Sequence, residues 1–138
     1  MNATPCAMGL RVASQALAAI IHHAQEAFPL EACGLLLGRG RKIMQAVATQ
    51  NVHETPQTHF EIDPQALIDA YRSERAGGLE LVGYYHSHPH GEARPSTTDQ
   101  AMAAGDCKIW AIVGKEEVTL WRDGSGGFDP LPIEIIDS

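Results

Sequence analysis

The segment His86-Ser87-His88-Pro89, followed shortly by Pro95-Ser96-Thr97-Thr98-Asp99, constrains this chain more than any other stretch. Ahead of it, Leu79-Glu80-Leu81-Val82-Gly83-Tyr84-Tyr85 reads as a buried strand; behind it comes a loop rich in Pro, Gly and charge, then a helix entrance. Strand side chains alternate, so two histidines two apart leave the strand on one face. An aspartate at the helix entrance would make a third donor. Two imidazoles and a carboxylate suit zinc, and three protein ligands leave a fourth tetrahedral position for water. The fold therefore has to bring a strand end and a helix start together, which asks for an α/β (α+β) arrangement.

Spacing alone leaves a second reading open. Ser96-Thr97-Thr98-Asp99 also fits the capping box that opens a helix. The two readings can coexist, because a carboxylate in the first turn can face either the backbone or a metal. A zinc-bound water has a pKa of roughly 7 and needs a base for its proton. Glu31, after Pro29 and at the mouth of an apolar run, is the best upstream candidate. Glu26, Glu54, Glu61 and Glu92 compete with it, and Glu92 lies inside the loop after the histidines. The Ser96 hydroxyl is a candidate donor to a developing oxyanion.

In order along the chain, Leu10–Val12 reads as a short strand and Ser14 as a helix cap. The helix from Gln15 to Phe28 carries an apolar stripe at Leu17, Ile20, Ile21, Ala24 and Phe28, and Pro29 stops it. His22 and His23 on this helix are expected to be solvent-facing or half-buried. Leu35-Leu36-Leu37 and the segment Ile43–Gln50 form a hairpin around Gly38-Arg39-Gly40-Arg41. After a polar loop from Asn51 to His59 come a short strand at Phe60–Ile62 and a helix capped by Asp63 with Pro64 in its first turn. That helix turns Leu67, Ile68 and Tyr71 inward. Beyond the histidines we expect a helix from Thr97 to Ala104, strands at Ile109–Val113 and Val118–Arg122, a turn at Asp123–Gly127, and an edge strand over Leu131–Ile136 that tolerates Pro132.

The 138 residues suit one domain, read here as residues 9–138 after a short extension, 1–8. That extension has neither the basic flank nor the apolar core of a signal peptide, and no apolar run is long enough to cross a membrane. A net charge of −7 without a basic cluster argues against nucleic acid as a partner. Three cysteines with no C-x-x-C pair argue against a disulfide framework and favour a reducing, cytoplasmic setting. Cys33 near Glu31 raises a cysteine hydrolase, but no flanking motif supports it and a cysteine buried in an apolar strand is usually inert. The H-E-x-x-H, deaminase and phosphate-loop patterns are all missing. His53, His59 and His90 read as loop residues; His90 continues the alternation at the rim.

Taken together, Glu31, then His86-Ser87-His88, seven residues, Ser96, two residues and Asp99 resemble the JAMM (MPN-plus) metalloprotease family. Glu31-Ala32-Cys33-Gly34-Leu35-Leu36-Leu37-Gly38 looks like its glutamate segment and Gly83-Tyr84-Tyr85-His86-Ser87-His88-Pro89 like its metal-binding core. The resemblance implies a cytidine-deaminase-like mixed sheet sandwiched by helices and one zinc ion with a bound water. It gives His86, His88 and Asp99 as metal ligands, Glu31 as acid/base and Ser96 as oxyanion support. It implies isopeptidase action after the C-terminal Gly-Gly tail of a ubiquitin-like or sulfur-carrier protein, in the manner of compact prokaryotic members. The rival readings are a non-catalytic MPN scaffold, which would have lost ligands this chain keeps, and a zinc amidase acting on small peptides, cell wall or phage-tail-type substrates.

Overall fold

A computed structural model describes residues 9–115 and 117–137. The elements run β1 (Leu10–Ala13), α1 (Ser14–Ala27), β2 (Cys33–Arg39), β3 (Lys42–Thr49), α2 (Pro64–Arg75), β4 (Glu80–Ser87), α3 (Thr97–Met102), β5 (Ile109–Val113), β6 (Val118–Gly124), β7 (Gly127–Pro130) and β8 (Ile133–Ile136). The strands make one eight-stranded sheet in the order β7-β6-β5-β4-β2-β3-β1-β8. It is mixed: β4–β5, β1–β3 and β1–β8 are parallel, and the other neighbours antiparallel. β8 is an edge strand, as its Pro132 entry requires. The expected extension at residues 1–8 lies outside the described residues.

Alternation along the central strands sorts their side chains into two apolar layers. Leu36, Tyr85 and Ala111 join Ala16 and Ile20 of α1 in one cluster. Their neighbours Leu35, Tyr84 and Trp110 join Leu67 and Ala70 of α2 in the other, with Phe60. The two helices thus cover opposite faces, and the mixed sheet sandwiched by helices that the sequence implied is what forms. Each fully buried leucine or isoleucine in these layers contributes about 1.5–3 kcal/mol. Gly83 lets β4 approach β5 closely: an added Cβ there would fall on the Ile109 carbonyl.

Several local expectations differ. Ser14 does not cap α1: β1 runs into the helix without a turn, so the cap position falls on Ala13 and Ser14 is already helical. Ile21 and Phe28, expected inside, are 41% and 57% exposed. Ile68 and Tyr71 of α2 are exposed as well, because α2 lays only Leu67 and its small residues on the sheet. Asp63 does cap α2, accepting the Gln65 N–H at 3.0 Å. Phe60–Ile62 is not a strand; it offers only one bridge, Asn51 to Ile62. The Asp123–Gly127 turn is shorter than expected, since β6 reaches Gly124 and β7 follows it. Most consequential, β4 continues through Ser87. His86 pairs with Ile112 of β5 inside the sheet rather than in a loop after it. No helix among the described residues is long and apolar enough to cross a membrane. Cys33 is free and buried, with its thiol pushed up by burial. Cys107 is disulfide-bonded, which the odd cysteine count had not foretold.

Candidate metal centre

β4, α3 and the loop before β2 meet at one end of the sheet. β4 carries His86 and hands His88 to the loop beyond it. His86 Nε2 and His88 Nε2 lie 3.0 Å apart. Asp99, in the first turn of α3, places Oδ1 at 3.1 Å from His86 Nε2 and Oδ2 at 3.1 Å from His88 Nε2. Three donor atoms therefore converge, and among the described residues these three side chains form the one group able to hold a metal ion.

The donors fit a small divalent cation. Zinc bonds of roughly 2.0–2.2 Å set tetrahedral donor–donor separations near 3.3–3.5 Å. The observed separations are a few tenths shorter, a gap that small rotations of the three side chains open. The ring of His88 is fixed for ligation: Nδ1–H donates to the Glu92 carbonyl at 2.7 Å, leaving the Nε2 lone pair for a metal. His86 is held by packing instead. Its ring stacks on Phe60 with centroids 4.3 Å apart and meets the edge of Trp110 at 5.7 Å. Its Nδ1 is buried with no hydrogen-bond partner among the described residues, a costly placement for a polar atom.

The titration behaviour follows from these contacts. Burial pushes His86 down despite Asp99 beside it, which favours the neutral form a ligand needs. Burial also works to lower His88, but its bonds to Asp99 and to the Glu92 carbonyl win and raise it. Burial works to raise Asp99, yet its hydrogen bonds with His86 and His88, the Coulombic effect of His86 and the Ser96 N–H hold it well below the usual carboxylate range.

Ser96 and Asp99 form the full capping box: Ser96 N–H donates to Oδ2 at 2.9 Å and Asp99 N–H to Ser96 Oγ at 3.0 Å. Both readings of this segment hold in space, since the same carboxylate caps the helix and faces the histidines. Ser96 Oγ only accepts in this box, so its own proton remains available.

Glu31 lines a cleft of about 440 Å³ together with His88 and Ser96. The residue is 8% exposed, and burial pushes its carboxyl up to about 7; His88 opposes the shift and Asp99 adds to it. The rival glutamates do not share this place. Glu26 pairs with His22 on the outer face of α1, Glu54 and Glu61 are exposed, and the Glu92 carboxylate turns to Arg94 at 3.3 Å. His53 and His59 stack on each other in their loop, and His90 is exposed with its ring edge to Phe28. The site also uses residues that pattern reading passed over. The sequence places Phe60 in a strand and Asn51 at a loop start, and gives Ser87 no part beyond its place between the histidines. Only Asn51 left a signal, an Asn opening a polar loop where its amide can bond nearby backbone.

A central strand brings two histidines to a helix-borne carboxylate, and a buried glutamate lines the same cleft as His88, an arrangement able to hold a divalent metal ion. Residues 13–124 match the family described as prokaryotic homologs of the JAB domain, and the chain belongs to that family. It is similar to a desampylase of Haloferax volcanii, 34% identical over 109 residues that cover 75% of this chain and 78% of the relative. It is also similar to a probable TtuB-protein conjugate cleaving protease of Thermus thermophilus, 42% identical over 71 residues, 51% of this chain and 47% of the relative. A solution structure of a protein from Desulfitobacterium hafniense superposes with a TM-score of 0.82 at 28% identity, covering 94% of both chains.

Proposed function

We propose that this chain is a zinc-dependent isopeptidase that hydrolyses the amide bond after the C-terminal Gly-Gly tail of a ubiquitin-like or sulfur-carrier protein. The observation that carries this reading is the convergence of three donor atoms, with one of the three residues, His88, lining the same cleft as the buried Glu31. The names of the relatives, a desampylase and a conjugate-cleaving protease, support the choice of substrate.

In this reading His86, His88 and Asp99 hold one zinc ion. When bound, the ion supplies Lewis acidity toward the scissile carbonyl and makes a water acidic enough to attack near neutral pH. Glu31, whose carboxyl burial raises to about 7 in the metal-free chain, accepts the proton of the attacking water and gives it to the leaving amine as the C–N bond breaks. The Ser96 hydroxyl proton, unused by the capping box, donates to the oxyanion as it forms. Phe60 and the Glu92 carbonyl keep the two imidazoles aimed, so little reorganisation is needed at the moment of reaction. The proposed setting is the cytoplasm. The disulfide at Cys107 is the observation against it, and a thiol count on protein taken directly from its cells decides the point.

Intact-mass analysis of carrier proteins extended beyond Gly-Gly, by a peptide or through a lysine side chain, tests the reading. Cleavage after the second glycine, lost on chelation and restored by zinc, is the expected result. A Glu31→Gln protein that cleaves at the wild-type rate contradicts it.

A further inference from the structure

Glu31 belongs to no helix or strand; it lies in the loop between α1 and β2. A base that must pass one proton cannot sit on a loose loop, because misplacement by about 1 Å can cost 10²-fold in rate. The backbone around it is correspondingly tied down. Ala32 N–H donates to Ser87 Oγ at 2.8 Å, and Ser87 N–H donates back to the Ala32 carbonyl at 3.0 Å, which fixes the segment to β4. Glu31 N–H donates to the Pro56 carbonyl at 2.7 Å, and its carbonyl accepts from Asn51 Nδ2 at 3.0 Å.

The Asn51 amide uses its full capacity. Nδ2 donates to the carbonyls of Glu31 and His59, each at 3.0 Å. Oδ1 accepts from the N–H groups of His53 and Glu61, each at 3.1 Å. A reversed amide would set oxygen against two carbonyls and NH₂ against two N–H groups, so the orientation is unambiguous. One side chain thereby closes the 53–61 loop on itself and ties it to Glu31. That loop also supplies Pro56, which holds the Glu31 N–H, and Phe60, which stacks on His86.

We propose that Asn51 is a positioning residue: its amide locks the Glu31 peptide to the 53–61 loop and so fixes where the Glu31 carboxylate stands relative to the His86, His88 and Asp99 cluster. The proposal rests on the functional reading above for its kinetic consequence, but not for its structural one.

Asn51→Asp is the most selective variant. It keeps the two acceptor bonds that shape the loop and loses the two donations, including the one to Glu31. The neutral Asn51→Gln separates lost placement from added charge, and serves if Asn51→Asp does not fold. On the full-length protein, with a Gly-Gly-tailed carrier joined to a lysine peptide as substrate, kcat is expected to fall about 10–100-fold with KM within about twofold. Zinc stays at one ion per chain, and amide exchange at Glu31 and Ala32, measured on metal-free protein, quickens at least about tenfold. A lower Tm with wild-type kcat, or unchanged exchange at Glu31, overturns the proposal. Should Glu31→Gln itself turn out fully active, the functional reading fails separately, and the exchange measurement still decides whether Asn51 holds the segment.

Discussion

Tyr85 and His86 are consecutive residues of one strand, both almost fully buried, and they point to opposite faces of the sheet. On the α1 face, the Tyr85 hydroxyl crosses the apolar layer to His23 Nδ1 at 2.7 Å, and the pair is complete. On the α2 face, His86 keeps Nδ1 without a partner among the described residues and turns Nε2 into a crowd of donors. The first arrangement is a satisfied polar contact inside a core. The second leaves Nδ1 unfilled and gathers two imidazole nitrogens and a carboxylate at separations of 3.0–3.1 Å, the donor set a divalent cation takes. Burial and a histidine are common to both, so neither identifies chemistry; what separates them is whether the local hydrogen-bond capacity is already filled.

The sharpest way to break this comparison is to remove a donor on the α2 face. His88→Ala or Asp99→Ala is expected to abolish zinc binding and lower turnover by more than about 10³-fold, since the chemistry is assigned to the metal. Metal content by mass spectrometry and carrier cleavage measure both. Ser96→Ala probes the same face more gently. It removes a hydroxyl donor, for about 10²–10³ in turnover, and a helix cap, for about 1 kcal/mol of stability. A loss of stability alone would leave Ser96 as a cap and nothing more.

Glu31→Gln separates activity from stability. The Glu31 carboxyl is raised to about 7 in the fold from 4.5, so between those values the folded chain binds more protons than the unfolded one. The metal-free protein therefore loses stability as pH rises through that window. Glu31→Gln removes the loss, and denaturant unfolding at pH 8 should show the metal-free variant about 1–3 kcal/mol more stable than metal-free wild type, while the zinc-loaded variant no longer cleaves. The smallest effect belongs to the α1 face. Tyr85→Phe is expected to cost about 1 kcal/mol for the lost bond to His23 and to leave turnover unchanged. A Tyr85→Phe protein with turnover reduced tenfold would mean the two faces are not independent.

What the sequence disclosed and what it hid follow the same division. The convergence of His86, His88 and Asp99, with Glu31 and Ser96 on the neighbouring cleft, was legible because candidate ligands must be particular residue types at spacings set by a strand and a helix entrance. The hairpin, the Asp63 cap and the strand Ile109–Val113 were legible from turn and capping chemistry and from an unbroken apolar run. Hidden were the features that depend on which neighbour wins a contact. Ile21 and Phe28 obey helical periodicity yet remain exposed, because α1 meets the sheet through Ala16 and Ile20. Ser14 looks like a cap but is displaced by a strand that turns directly into helix. Phe60 carries strand propensity, but its ring stacks on His86, and only Ile62 bridges to Asn51. The four bonds of Asn51 involve partners as far as 20 residues away in sequence, a relation no local pattern encodes.

The central claim is that His86, His88 and Asp99 share one cation. X-ray absorption at the zinc edge of the full-length protein, compared with Asp99→Ala, tests it most directly. The account predicts one zinc per chain, four-coordinate, with two imidazole nitrogens and the remaining ligands oxygen at about 2.0–2.2 Å, and no such site in the variant. A sulfur shell near about 2.3 Å, or a spectrum unchanged by Asp99→Ala, would contradict it.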